Sequence, residues 1–88
     1  MRNHSLIISN KLGLHTRAAA KLVDLAKKYS SRIELMYRDR VVDGKSIMGV
    51  ITLGAQKDDS IHLIIQGEDE DEALHALTVL INNKFGEE

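Results

Sequence analysis

At 88 residues the chain allows one small domain with a single core, near the size at which such a core is only marginally sufficient. The absence of cysteine excludes a disulfide framework and a thiolate metal site, and agrees with a reducing compartment. The net charge of −1 is unevenly spread: residues 1–45 hold ten Lys/Arg against four Asp/Glu, and residues 46–88 hold two against nine. The basic half could steer acidic partner surfaces toward it at low salt. Tyr29, Tyr37 and Phe85 are the three aromatics, too few for the stacking platforms of single-strand binders, so nucleic acid is not an expected partner. Apolar runs are short, and Arg2, Asn3 and His4 do not begin a signal peptide. A soluble, unprocessed, cytoplasmic protein without membrane insertion is expected.

Residues 2–8 predict a first strand, with His4, Leu6 and Ile8 on one face and Asn3, Ser5 and Ile7 on the other. Asn10 to Gly13 supply turn chemistry. From Thr16 to Lys28 the set Ala19, Leu22, Val23 and Ala26 recurs at helical spacing, and Lys27 and Lys28 are expected in the last turn, where cations suit the dipole. After Tyr29-Ser30-Ser31, Ile33, Leu35 and Tyr37 alternate with Arg32, Glu34 and Met36 in a second strand, which Arg38-Asp39 turns into a short partner at Arg40–Asp43.

Ser46 is the expected N-cap of a second helix, Ile47–Leu53, with Gly54 as its stop. Ile61, Leu63 and Ile65 alternate with His62, Ile64 and Gln66 in a fourth strand. Ala73, Leu74, Leu77, Leu80 and Ile81 form the stripe of a last helix, with acidic Glu68–Glu72 compensating the dipole at its start and Lys84 and Gly86 closing it. The order β-α-β-β-α-β-α predicts an α+β domain with helices on one face of an antiparallel sheet.

His15 stands at the mouth of the first helix, where N–H groups without intrahelical partners and the helix dipole favour an anion. A phosphoryl group carried on its imidazole would meet those N–H groups and the guanidinium of Arg17. A lone His-x-Arg is more often a plain cap, so other chemistry has to be tested first. Gly44-Lys45-Ser46 resembles the end of a nucleotide-binding loop, but Asp39 stands where that loop needs its first glycine. His4, His62 and His75 lack metal-ligand spacing, and no G-x-S-x-G elbow is present. Neither a metal nor a cofactor is expected.

Three segments then point the same way. Lys11-Leu12-Gly13-Leu14-His15-Thr16-Arg17-Ala18-Ala19 resembles the phosphohistidine site of the phosphocarrier HPr family of the bacterial phosphoenolpyruvate-dependent phosphotransferase system. Gly44-Lys45-Ser46-Ile47-Met48-Gly49-Val50 resembles the family's regulatory serine segment, and Gly67 to Leu74 its acidic entry to the last helix. The resemblance covers the whole chain. It implies a single domain over residues 1–88, folded as an open-faced β-sandwich with three helices over a four-stranded antiparallel sheet of order 1-4-2-3.

It also implies that enzyme I phosphorylates His15 at Nδ1 and that His15 passes the group to an enzyme IIA domain, the chain acting as a carrier in the relay and not as an enzyme. Arg17 would stabilise the phosphoryl group, with the backbone N–H groups of Thr16, Arg17 and Ala18 as further donors. Ser46 would be a regulatory phosphorylation site, and Thr16, Ala20, Ile47 and Met48 would form the docking surface of a monomer. A serine kinase/phosphorylase and a transcription regulator are further partners under this reading. Where the family usually has proline, this chain has Ala18, whose N–H is expected to bond the resting Nδ1 of His15 and slow its phosphorylation. The alternative function is a regulatory binding module controlled by Ser46 phosphorylation. A small-ligand-binding domain would need a pocket that so short a chain is not expected to enclose.

Overall fold

Alternation of apolar and polar residues builds four strands: β1 (Arg2–Ile7), β2 (Arg32–Tyr37), β3 (Arg40–Asp43) and β4 (Ser60–Gln66). They pair antiparallel in the order β1-β4-β2-β3, with Leu6 opposite Ile61 and Leu35 opposite both Leu63 and Val42. The computed structural model describes residues 1–87. Helices α1 (Thr16–Ala26), α2 (Ile47–Thr52) and α3 (Glu70–Asn82) complete an open-faced α+β sandwich, and a tight turn at Lys84–Gly86 follows them.

Burial follows the strand period. Leu6, Ile33, Leu35, Ile61, Leu63 and Ile65 are buried under the helices, while Ser5, Glu34 and His62 lie on the alternate positions, outside the core. Leu22 and Val23 of α1, Val50 of α2, and Ala73, Leu77 and Ile81 of α3 meet that face. Ala18, Ala19 and Ala26 are fully buried as well, and their small side chains let the α1 backbone approach its neighbours closely.

The helix ends differ from expectation by a residue or two. α1 stops at Ala26 with Lys27 as C-cap, and the bonds from Lys28 N–H to Leu25 O and from Tyr29 N–H to Ala26 O tighten the chain there, so Lys27 and Lys28 lie beyond the last turn. α2 ends at Thr52, with Leu53 as C-cap and Gly54 at φ +70° ending the run. β1 ends one residue early, although Ile8 is fully buried and exchanges backbone hydrogen bonds with Asp58 and Asp59. His4 shares the face of Leu6 but is exposed.

The acidic run at the start of α3 does more than compensate a dipole. Asp69 accepts from Ser30 and Ser31, Glu70 pairs with the N-terminal amine at 3.1 Å, and Asp71 pairs with Arg2. No helix is long and apolar enough to cross a membrane among the described residues.

Candidate functional site

The loop before α1 is held by the chain that follows α2. Leu14 N–H donates to Ala55 O at 2.9 Å, and Gly13 takes φ +66° where a Cβ would lie 2.7 Å from the same oxygen. Only glycine fits both the left-handed backbone and that approach. The loop delivers His15 in extended conformation (φ −75°, ψ 178°) to the N-cap position of α1, where its C=O accepts from Ala19 N–H at 2.8 Å.

Both ring nitrogens have partners. Nδ1 accepts from Arg17 N–H at 3.4 Å, a long bond, and Nε2 lies 2.8 and 3.1 Å from the two carboxylate oxygens of Glu87. One tautomer satisfies both contacts: Nε2–H donates to Glu87, and the Nδ1 lone pair faces the helix N-terminus. The expected donor to Nδ1 was Ala18 N–H. The structure corrects this to Arg17, because an N-cap group turned along the first turn meets the second helical N–H here.

Glu87 and Asn10 belong to the site, although sequence reading assigned Glu87 no role and Asn10 only a turn. Asn10 is fully buried and donates from Nδ2 to Gly13 O at 2.7 Å and to Glu87 Oε1 at 2.9 Å. The hydrogen bonds from Asn10 and then from His15 hold the Glu87 carboxyl below the usual glutamate range. Lys21 Nζ donates to Phe85 O at 2.7 Å and ties the tail to α1. Glu87 stands 72 residues from His15, and no local pattern announces such a contact.

Arg17 is exposed, and among the described residues no hydrogen bond ties its guanidinium. With Lys11, Leu12 and Glu87 it lines an open depression of about 260 Å³. Thr16 is exposed and Ala20 half-buried on α1. α2 packs beside α1, and its Ile47 and Met48 are 40% and 66% exposed while Val50 is fully buried. Ser46 caps α2, its Oγ accepting from Gly49 N–H at 3.1 Å. His4 and His75 are exposed, and His62 Nδ1 lies 2.9 Å from Ser5 Oγ on the open face of the sheet.

This arrangement offers a ring nitrogen with its lone pair at a helix N-terminus, a guanidinium without a hydrogen bond among the described residues and a carboxylate on the opposite ring nitrogen. The family model described as "PTS HPr component phosphorylation site" matches residues 3–83. The phosphocarrier protein HPr of Xylella fastidiosa strain 9a5c is 48% identical over 88 residues, covering 100% of this chain and 99% of that protein. The HPr of Pseudomonas aeruginosa is 52% identical over 83 residues, covering 93% and 92%. Among solved structures, the crystal structure of HPr-C-His from Thermoanaerobacter tengcongensis superposes with a TM-score of 0.96 at 44% identity, covering 100% of this chain and 99% of that one. Its sequence and its β1-β4-β2-β3 sandwich agree: the chain belongs to the phosphocarrier HPr family of the phosphotransferase system.

Proposed function

We propose that His15 accepts a phosphoryl group on Nδ1 from phospho-enzyme I, charged by phosphoenolpyruvate, and donates it to an enzyme IIA domain. The observation that carries this reading is the pair of contacts on the ring, which turn the Nδ1 lone pair toward the N–H groups opening α1 while Nε2 is engaged by Glu87. As the Nδ1–P bond forms, the bond from phosphorus to the donor's leaving group breaks. The phosphoryl oxygens then meet the backbone N–H groups of Thr16, Arg17 and Ala18 and the guanidinium of Arg17, which has no competing partner to leave among the described residues. Positioning and charge stabilisation are the main demands of this transfer, so an open site on a carrier suffices once a partner is docked.

Thr16, Ala20, Ile47 and Met48 form the docking surface. The exposure of Ile47 and Met48 supports this role, and a flexible methionine suits a surface that must fit several partners. The protein works as a cytoplasmic monomer. Incubation with enzyme I and phosphoenolpyruvate, followed by mass spectrometry at neutral or alkaline pH, tests the reading: an acid-labile phosphoryl group is expected on His15 and absent from His15→Ala.

A second reading has its own observation. Ser46 Oγ caps α2 beside the docking residues, so a kinase acting there would place a dianion at the edge of the partner surface. On this reading the chain is a binding module whose contact with enzyme I or a transcription regulator is set by a serine kinase/phosphorylase, and the two functions can coexist.

A further inference from the structure

We propose that Glu87 decides which nitrogen of His15 takes the phosphoryl group, as a positioning residue that keeps the ring proton on Nε2 and reserves the Nδ1 lone pair for phosphorus. This deepens the carrier reading of His15 and rests on it. In an unrestrained imidazole either nitrogen can attack phosphorus, and Nε2 is the less hindered, because Nδ1 adjoins the ring carbon that bears the side chain. Selectivity for Nδ1 therefore needs a reason in the fold.

The fold supplies one at some cost in backbone strain. Lys84, Phe85 and Gly86 have φ of +57°, +56° and +75°, so two residues with side chains stand in the left-handed region in succession. Burial of Phe85 and the hydrogen bond from Lys21 Nζ to Phe85 O hold that turn. Its consequence is the placement of Glu87, whose side chain is 16% exposed and lies over a His15 side chain that is 26% exposed. Asn10, fully buried, fixes one carboxylate oxygen from behind. The acceptor is thus anchored from three directions, and it occupies Nε2 with both oxygens.

The transfer balances in these terms. Nδ1 attacks phosphorus, the donor's bond to phosphorus breaks, and the ring proton stays on Nε2. The phosphorylated ring then carries positive charge, and its Nε2–H···carboxylate bond, already charge-assisted through the carboxylate, becomes charged on both sides. Glu87 would therefore favour Nδ1 before the transfer and support the ring after it.

Phosphoramidate, which releases ammonia as it phosphorylates imidazole, tests this without enzyme I. The full ¹⁵N-labelled chain is treated with it, and ¹H–¹⁵N and ³¹P spectra identify the nitrogen bonded to phosphorus, with His15→Ala separating the signals of the other histidines. The unmodified protein is expected to react at Nδ1 of His15. In Glu87→Ala the Nε2 product should appear and the Nδ1:Nε2 ratio fall at least about tenfold, as loss of a charge-assisted hydrogen bond implies. Glu87→Asp, one methylene too short to span the gap, should lose selectivity as well, and Glu87→Gln, which keeps a neutral acceptor at the same reach, should recover part of it. An unchanged ratio in the Ala and Asp variants, or reaction of the unmodified protein at Nε2, would overturn the proposal. A protein that reacts at Nδ1 with phosphoramidate and loses that selectivity in Glu87→Ala, yet does not react with phospho-enzyme I, would defeat the carrier reading and leave this role of Glu87 standing.

Discussion

Ser31 donates both its backbone N–H, at 3.0 Å, and its hydroxyl to a single oxygen of Asp69. The other oxygen accepts from Ser30 N–H at 2.9 Å. Asp69 stands at the N-cap position of α3 but makes no cap bond to its own helix. Its carboxylate instead closes the loop between α1 and β2 against the start of α3.

These bonds, led by the Ser31 hydroxyl, hold the Asp69 carboxyl down at about 2. Because the folded value lies below the ordinary aspartate value of 3.8, the group's contribution to stability is complete above about pH 4 and disappears as pH falls through about 2. Asp69→Asn should therefore lower the denaturant midpoint at neutral pH, with the gap from the unmodified protein narrowing across that acid window. A gap independent of pH between about 5 and 2 would assign the loss to packing instead.

Arg17→Ala should leave the fold intact and slow phosphoryl transfer at His15. A charge-assisted hydrogen bond of about 1.5–3 kcal/mol made mainly in the transition state corresponds to about one to two powers of ten in rate. Rapid-quench kinetics in both directions, toward enzyme I and toward enzyme IIA, check this. Unchanged rates would remove the guanidinium from the mechanism.

Ser46→Ala should destabilise the protein by about 0.5–2 kcal/mol, since α2 has six residues and loses the Oγ bond to Gly49 N–H. A phosphate on Ser46 should instead be tolerated by the helix and slow phosphorylation by enzyme I, because it sets charge beside exposed Ile47 and Met48. Denaturation measures the first effect. A phosphoserine sample accepting phosphoryl groups at the unmodified rate would end the inhibitory role.

Ala18→Pro should not accelerate phosphorylation, because the donor to the resting Nδ1 is Arg17 N–H and stays in place, and it should slow transfer by about two- to tenfold, because one of the three backbone donors proposed for the phosphoryl oxygens is lost. Ala18 is fully buried, so the larger ring must also find room in the core. Parallel enzyme I kinetics and denaturation separate the two effects; an acceleration of tenfold, on the order of one lost hydrogen bond, would instead return the Ala18 N–H to the resting Nδ1.

Gly13→Ala should destabilise the chain by about 1–2 kcal/mol or more from backbone conformation alone, with a further cost from the 2.7 Å approach to Ala55 O. The displaced loop carries His15, so the reaction with enzyme I should slow as well. Calorimetry and kinetics on one sample would show both losses; a stable, fully reactive Gly13→Ala protein would mean that the loop does not depend on this contact.

Local chemistry made much of the architecture readable. Alternation in Ile33-Glu34-Leu35 and Ile61-His62-Leu63, the alanine-rich face of α1 and the Ser46 cap each depend on neighbours a few residues apart, and each is found in the structure. The hairpin was harder to see, since Arg38-Asp39 is a weak turn pair. Arg38 takes φ +59° there, with Tyr37 opposite Arg40. Helix ends were missed by a residue or two because the final turns tighten, and that depends on which carbonyls remain unpaired.

The site divides along the same line. The sequence alone determined that His15 would open a helix, with Arg17 in its first turn, because cap position and helix dipole are properties of consecutive residues. Which N–H meets Nδ1, and what meets Nε2, were decided only by tertiary structure. Glu87 reaches the ring because Asn10 is buried behind it, Phe85 is buried beneath the tail and Lys21 ties that turn to α1. These contacts span 64 to 77 residues, so they exist only once the core has brought the segment from Asn10 to Lys21 and the tail at Phe85–Glu87 together.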